Sequence, residues 1–204
     1  GKQANSYDGY WTGASHMTNT KGYADCAASA DLTGIFEDGD IRGSKGVRGA
    51  DDGKAMFCTD ENNVSNQLWT MKYFGKGEGD ATSIPDVSNT IVLRLSEMYL
   101  IRAEAYYNTN KPSAAQADIN TLREKRGASQ IGAQNLKADI MTERRLELNF
   151  EGHYWFDLAR TGGSVSYSDG KNTKDIPASS KYWALPVPKG QIDVNPNLVQ
   201  NPEF

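Results

Sequence analysis

A mainly α fold is predicted, with a tetratricopeptide-like helical hairpin, further helices, long loop-rich segments and little sheet. Three features of the 204-residue sequence carry that prediction. Apolar residues recur at helical spacing from residue 91 onward, interrupted where a proline and a glycine suit a helix start and a helix stop. Glycine is unevenly distributed, with 13 of the 20 in residues 1–90. Charge divides at the same place: residues 1–90 hold 8 Lys and Arg against 13 Asp and Glu, and the remainder holds 14 against 13. Two regions follow, a loop-rich segment 1–90 and a helical region 91–204.

In the first region Gly39, Gly43, Gly46, Gly49 and Gly53 arrive at short spacing, followed by Gly75, Gly77 and Gly79. Glycine relieves the penalty on positive φ, so this density marks loops and short hairpins. Residues Asn66–Phe74 carry strand-like alternation, Trp69, Met71 and Tyr73 against Thr70, Lys72 and Phe74. From Ile91 the period becomes helical. Leu95, Met98, the Arg102 stem and Tyr106 trace one stripe, while Leu93, Leu100, Ile101 and Ala105 make the opposite side apolar too. Such a helix is expected to be buried on both sides, with Arg94 in reach of Glu97.

Asn108 to Pro112 then gives a turn and a proline at the first helical position, where its missing N–H costs nothing. The next helix runs to Gly127, with Ala115, Ile119 and Leu122 on one face and basic residues in its last turn. A third helix is predicted from about Asn135 to Phe150, and a short aromatic one over HYWFDLAR. Beyond Thr161 a loop is predicted to the end, because Pro186, Pro188 and Pro196 oppose a helix.

Composition excludes several classes. With 38% hydrophobic residues the chain can build a core, so full disorder is unexpected. A net charge of −4 without a basic cluster argues against nucleic-acid binding. No apolar run approaches the roughly 18 to 20 residues that span a bilayer. Cys26 and Cys58 allow one bridge or two separate thiols, and both readings stand.

The two histidines, His16 and His153, lie far apart without an HExxH pattern, so a zinc hydrolase centre is not expected and no cofactor is implied. Gly53-Lys54-Ala55 lacks the frame of a phosphate loop, and Gly75 to Gly79 lacks dinucleotide spacing. Asp38-Gly39-Asp40 opens like a calcium loop, but Arg42 takes the next ligand position and Gly49 stands where a bidentate Glu is needed. Glu143, Glu147, Glu151 and Asp157 are the candidates for acid/base work. Their interleaving with Arg144, Arg145 and Arg160 favours instead a salt-bridge network between packed helices, with His153 part of it.

Four ordered blocks, LRLSEMYLIRAEAYYN, AAQADINTLREKRG, DIMTERRLELNFEGHYWFDLAR and WALPVPKGQIDVNPNLVQNPEF, resemble the C-terminal portion of the SusD/RagB family. FEDGDIR and MKYFGK resemble its weaker Asp-x-Arg and Lys-Tyr landmarks. Tyr154 and Ala159 depart where many members are basic, and Glu203-Phe204 replaces a common Gly-Tyr ending; these touch surface charge only. The resemblance implies a lipid-anchored protein on the external face of the Bacteroidetes cell outer membrane. Such a protein captures nutrient oligosaccharides for a SusC-like TonB-dependent transporter in polysaccharide utilization, and it is not an enzyme. Typical members exceed twice this length, so the chain is expected to be a C-terminal portion lacking the anchoring cysteine.

Sugar rings offer apolar faces flanked by hydroxyls, which exposed aromatics with polar neighbours suit. Tyr10, Trp11, Tyr23 and His16, among Asn, Asp and Gly, are the candidate ligand-binding residues, in the loop-rich segment where the family places part of its ligand surface. Trp69 and Tyr73 are assigned to a core strand, and Trp155, Phe156 and Trp183 to packing. The alternative is a helical-repeat interaction module that docks on the transporter, with sugar or peptide binding mainly in a missing N-terminal half. The doubly apolar helix also points to a homodimer that covers its second face.

Overall fold

The computed structural model describes residues 27–47, 55–59, 67–70, 72, 92–168, 173–202 and 204. By compactness the chain divides into two units, Gly1–Gly152 and His153–Phe204.

In the first unit a helical turn, α1 (Ala30–Thr33), is capped by Ser29, whose hydroxyl accepts from the Leu32 N–H. A 3₁₀ turn, Ile41–Gly43, is capped by the Asp40 carboxylate. Three short strands follow, β1 (Lys45–Val47), β2 (Phe57–Thr59) and β3 (Trp69–Thr70). β1 pairs parallel to β2, Lys45 opposite Phe57, and β2 pairs antiparallel to β3, Phe57 opposite Thr70. The glycine-rich region thus carries a small mixed sheet, where loops and hairpins were expected. Trp69 and Cys58 are buried in it with Ala55, as the core assignment of Trp69 required.

Helices α2 (Leu95–Asn108) and α3 (Pro112–Arg126) form the expected hairpin. Asn110 turns the corner at φ +58°, a left-handed conformation that asparagine tolerates. Pro112 occupies the first position of α3. Gly127 ends it at φ +73°, with its N–H on the Glu124 carbonyl and the Ala128 N–H on the Arg123 carbonyl, the paired closure of a Schellman motif. α4 (Leu136–Glu147) stops three residues before the predicted end. Leu100, Ala103, Ala115, Ile119, Leu122, Leu136, Ile140 and Leu148 form the core of these three helices.

Only one side of α2 joins that core. Leu100 and Ala103 are fully buried, but Leu95 is 73% exposed, and Met98 and Ile101 are exposed as well. Burial on both sides is therefore corrected to burial on one, because α3 and α4 both lie against the Leu100 side. Arg94 turns its guanidinium to Glu147 and Glu151 on α4 and just beyond it.

In the second unit α5 (His153–Thr161) precedes a hairpin of β4 (Val165–Ser168) and β5 (Thr173–Ile176), Val165 opposite Ile176. A 3₁₀ turn (Lys181–Trp183) and α6 (Lys189–Val194) follow. The loop expected after Thr161 is thus corrected. The prolines bracket α6 and do not interrupt it: Pro188 is its N-cap and Pro196 lies beyond its end, where neither opposes helical φ and ψ. Trp155 and Trp183 meet with ring centroids 4.5 Å apart, consistent with packing. Phe156 is 70% exposed and its packing assignment fails in the described structure.

Candidate functional site

The ligand-binding candidates Tyr10, Trp11, His16 and Tyr23 lie outside the described residues, as do Cys26, Tyr73 and the glycines 49, 53, 75, 77 and 79. What the structure does assemble is the acidic set singled out on α4 and after it. Helical spacing puts Glu143 and Glu147 on one side of α4, since residues four apart lie one turn apart, and Glu151 follows in the turn beyond the helix end. None of the three is available to solvent: their side chains are 1%, 3% and 3% exposed.

Each is taken up by cations that arrive from elsewhere in the chain. Arg42 donates from Nη1 to Glu143 Oε1 at 2.6 Å and to Glu147 Oε2 at 3.0 Å, while its Nε and Nη2 grip Asp40. Arg123 reaches Glu143 Oε2 at 2.8 Å with one nitrogen and Glu37 with the other. Arg94 and Arg126 both bind Glu147. Lys72 donates to Glu151 Oε1 at 2.7 Å and to the carbonyls of Glu147 and Asn149. Arg94 also holds Glu151, so the residues just before and just after the stretch 73–91 close on a single carboxylate.

Lys72 and Arg94 do a second task here. The last carbonyls of a helix have no intrahelical donor, and cations placed there meet both that need and the negative end of the dipole. Lys72 and Arg94 both donate to the Glu147 carbonyl, which closes α4.

Among the described residues the cluster joins five carboxylates (Glu37, Asp40, Glu143, Glu147, Glu151) to five cations (Arg42, Lys72, Arg94, Arg123, Arg126). Burial tends to raise the Glu147 pKa, but the hydrogen bonds and charges of Arg126 and Arg94 outweigh it and hold the carboxyl well below the usual range. Burial likewise opposes the charge of Arg42, and its bonds to Asp40 and Glu143 raise its pKa in spite of that. For Lys72 burial wins, and its pKa falls below the ordinary lysine value despite Glu151.

The salt-bridge reading of the α4 acids therefore holds, and cations from elsewhere in the chain join it. Arg42, Arg94, Arg123 and Lys72 come from loops and other helices, and Asp157 pairs locally with Arg160 in the second unit. Asp40 is committed to Arg42, which removes the central ligand of the calcium-like stretch. Sequence reasoning missed the roles of Asp40, Arg42 and Lys72, although all three sit in the FEDGDIR and MKYFGK landmarks. Among the described residues no group of three or more His, Cys, Asp or Glu converges as a metal site, and no helix is long and apolar enough to cross a membrane.

A helical hairpin stacked on a third helix, with a loop-rich segment pinned to it by a buried ionic cluster, defines a scaffold of the tetratricopeptide-like helical class. The SusD family profile matches residues 33–204, and the chain belongs to the SusD family. It is 34% identical over 128 residues to SusD-like protein P38 of Formosa agariphila, covering 57% of this chain and 25% of that protein. SusD-like protein P25 of the same organism is 32% identical over 124 residues. A SusD superfamily protein from Bacteroides vulgatus superposes with a TM-score of 0.69 at 25% identity, over 93% of this chain and 42% of that one. A SusD-like carbohydrate binding protein from the same species shares the fold, with a TM-score of 0.67 at 23% identity over 95% of this chain and 45% of that one. The chain thus spans about a quarter of the length of the curated relatives it matches and under half of the solved ones.

Proposed function

We propose that this chain is part of a non-catalytic protein that binds nutrient glycans at the cell surface and passes them to a SusC-like TonB-dependent transporter. The observation that carries the reading is the fate of the α4 acids. A general acid or base must reach a substrate proton, and Glu143, Glu147 and Glu151 are buried and saturated by cations. Membership of the SusD family supports the same reading, and so does the fold shared with a SusD-like carbohydrate binding protein.

In this reading the protein is a lipoprotein on the external face of the outer membrane. Tyr10, Trp11, Tyr23 and His16 supply stacking and hydrogen bonds in the loop-rich segment 1–90, while region 91–204 is the frame. Affinity at one shallow polar site is weak, and a larger assembly adds avidity.

The test is calorimetric titration of the chain with maltotriose, cellotriose, xylotriose, laminaritriose and mannotriose, with reducing-end release monitored in parallel. Saturable heat from at least one trisaccharide without new reducing ends is the expected result. Silence from all five removes glycan binding by this chain, and turnover abolished by Glu143→Gln or Glu147→Gln makes it an enzyme.

A further inference from the structure

Between α1 and β1 the chain folds around an open cleft of about 380 Å³, lined among others by Thr33, Phe36, Asp38, Ile41, Ser44 and Lys45. We propose that this cleft is a subsite for a neutral sugar residue, with Asp38 and Lys45 as its hydrogen-bonding groups. The inference rests on the glycan-binding reading above and gives it a location among the described residues.

Size and chemistry select the ligand class. The volume lies near the lower end of the roughly 300–1,000 Å³ range of small-molecule pockets, which suits one or two sugar rings. Apolar surface comes from the half-buried Phe36 ring and from Ile41, which is 55% exposed. Polar groups stand beside it. The nearby Glu37 carboxylate is already engaged by Arg123 and the Ser129 N–H. The Asp38 and Lys45 side chains, by contrast, are exposed and have no hydrogen-bond or ion-pair partner among the described residues. The lining's other carboxylates, Glu37 and Asp40, are neutralised by Arg123 and Arg42, so the groups left to meet a guest are one carboxylate and one ammonium, which disfavours a strongly anionic or cationic guest. Both ions form charge-assisted hydrogen bonds to hydroxyls, the ammonium as donor and the carboxylate as acceptor.

The walls are fixed before any ligand arrives. Asp40, in the lining, is held by Arg42 within the buried ionic cluster. The Ser44 hydroxyl donates to the Ile41 carbonyl at 2.7 Å and accepts from the Met56 N–H at 3.0 Å. Phe36 packs on Phe57, centroids 5.8 Å apart. Gly39, at φ +90°, lies against Gly127 at the end of α3. A site held in this way loses little conformational entropy on binding.

The experiment repeats the five-trisaccharide titration with Asp38→Ala, Lys45→Ala and, as a control on the same exposed segment, Asp31→Ala. Loss of a charged hydrogen-bond partner is expected to weaken the responding trisaccharide about tenfold in each of the first two variants. Asp31→Ala leaves the affinity unchanged, and all three keep the parent's thermal midpoint. Parent-like affinity in both Asp38→Ala and Lys45→Ala overturns the cleft while glycan binding elsewhere on the chain stands. Silence of the parent chain toward all five sugars overturns both.

Discussion

Arg42 and Glu143, 101 residues apart in sequence, meet through a 2.6 Å bond in the interior of the first unit. That contact fastens the loop-rich part of the chain to α4. Arg42 also holds Asp40 and Glu147, so one guanidinium serves three carboxylates.

Removing one member of a buried ion cluster leaves the others uncompensated, at about 3–5 kcal/mol. Arg42→Met is expected to lose that much in urea unfolding at neutral pH. Arg42→Met combined with Glu143→Leu is expected to lose less than the two single losses added together, because each single change strands a charge that the double change removes. Simple additivity in the double-mutant cycle refutes this energetic role.

Acid should undo the cluster in a defined window. A carboxylate whose folded pKa is depressed contributes its stability in full above the unfolded value, about 4.3 for glutamate, and loses it as pH falls toward the folded value. Glu147 is such a group, with Glu37 lowered as well: burial opposes the Glu37 charge, but its bonds to Ser129 and Arg123 outweigh that. Lys72 has the opposite sign. Its folded pKa is lowered, so its charged form weighs against the fold, and that cost eases as pH rises toward the unfolded lysine value near 10.4. Unfolding free energy measured from pH 7 to pH 2 is expected to fall below about pH 5 in the parent. Glu147→Gln is expected to be less stable at pH 7 with a shallower acid limb, and an unchanged limb contradicts the assignment.

Gly127→Ala tests the junction between α3 and the loop at Gly39. At φ +73° a side chain is strained, and a Cβ there would stand 2.5 Å from the Gly39 carbonyl oxygen. A loss of about 1–3 kcal/mol is expected in thermal unfolding. Gly132→Ala, where a Cβ meets nothing within 4 Å, serves as the comparison and should change stability far less.

Leu95, Met98 and Ile101 on the exposed side of α2, with Leu93 just before the helix, form an apolar strip of the kind that mediates association. Sedimentation equilibrium of the chain is expected to show a homodimer at micromolar concentration. Met98→Glu with Ile101→Glu should return it to monomer without lowering its thermal midpoint. A parent that stays monomeric at every concentration refutes this use of the face.

Local chemistry made much of the frame legible in the sequence. Pro112 and Gly127 each act through their own backbone preferences, so the α2–α3 hairpin could be bounded from its punctuation alone. Ala115, Ile119 and Leu122 share a face by helical period and are buried together. The hairpin Val165–Ser168 with Thr173–Ile176 escaped because its strands, VSYS and TKDI, lack a strong apolar alternation and draw their order from pairing with each other. α6 escaped because its prolines were read as breakers, although they flank it.

The sequence by itself determined that acids and bases interleave around α4, that they form ion pairs, and which family the chain resembles. Tertiary structure alone decided the pairings. Arg42, Lys72, Arg94 and Arg123 reach Glu143, Glu147 and Glu151 from distant segments, and a charge carries no local mark of the partner it will meet. It also decided that one side of α2 is open, since periodicity shows which residues are apolar but not how many neighbours arrive to cover them.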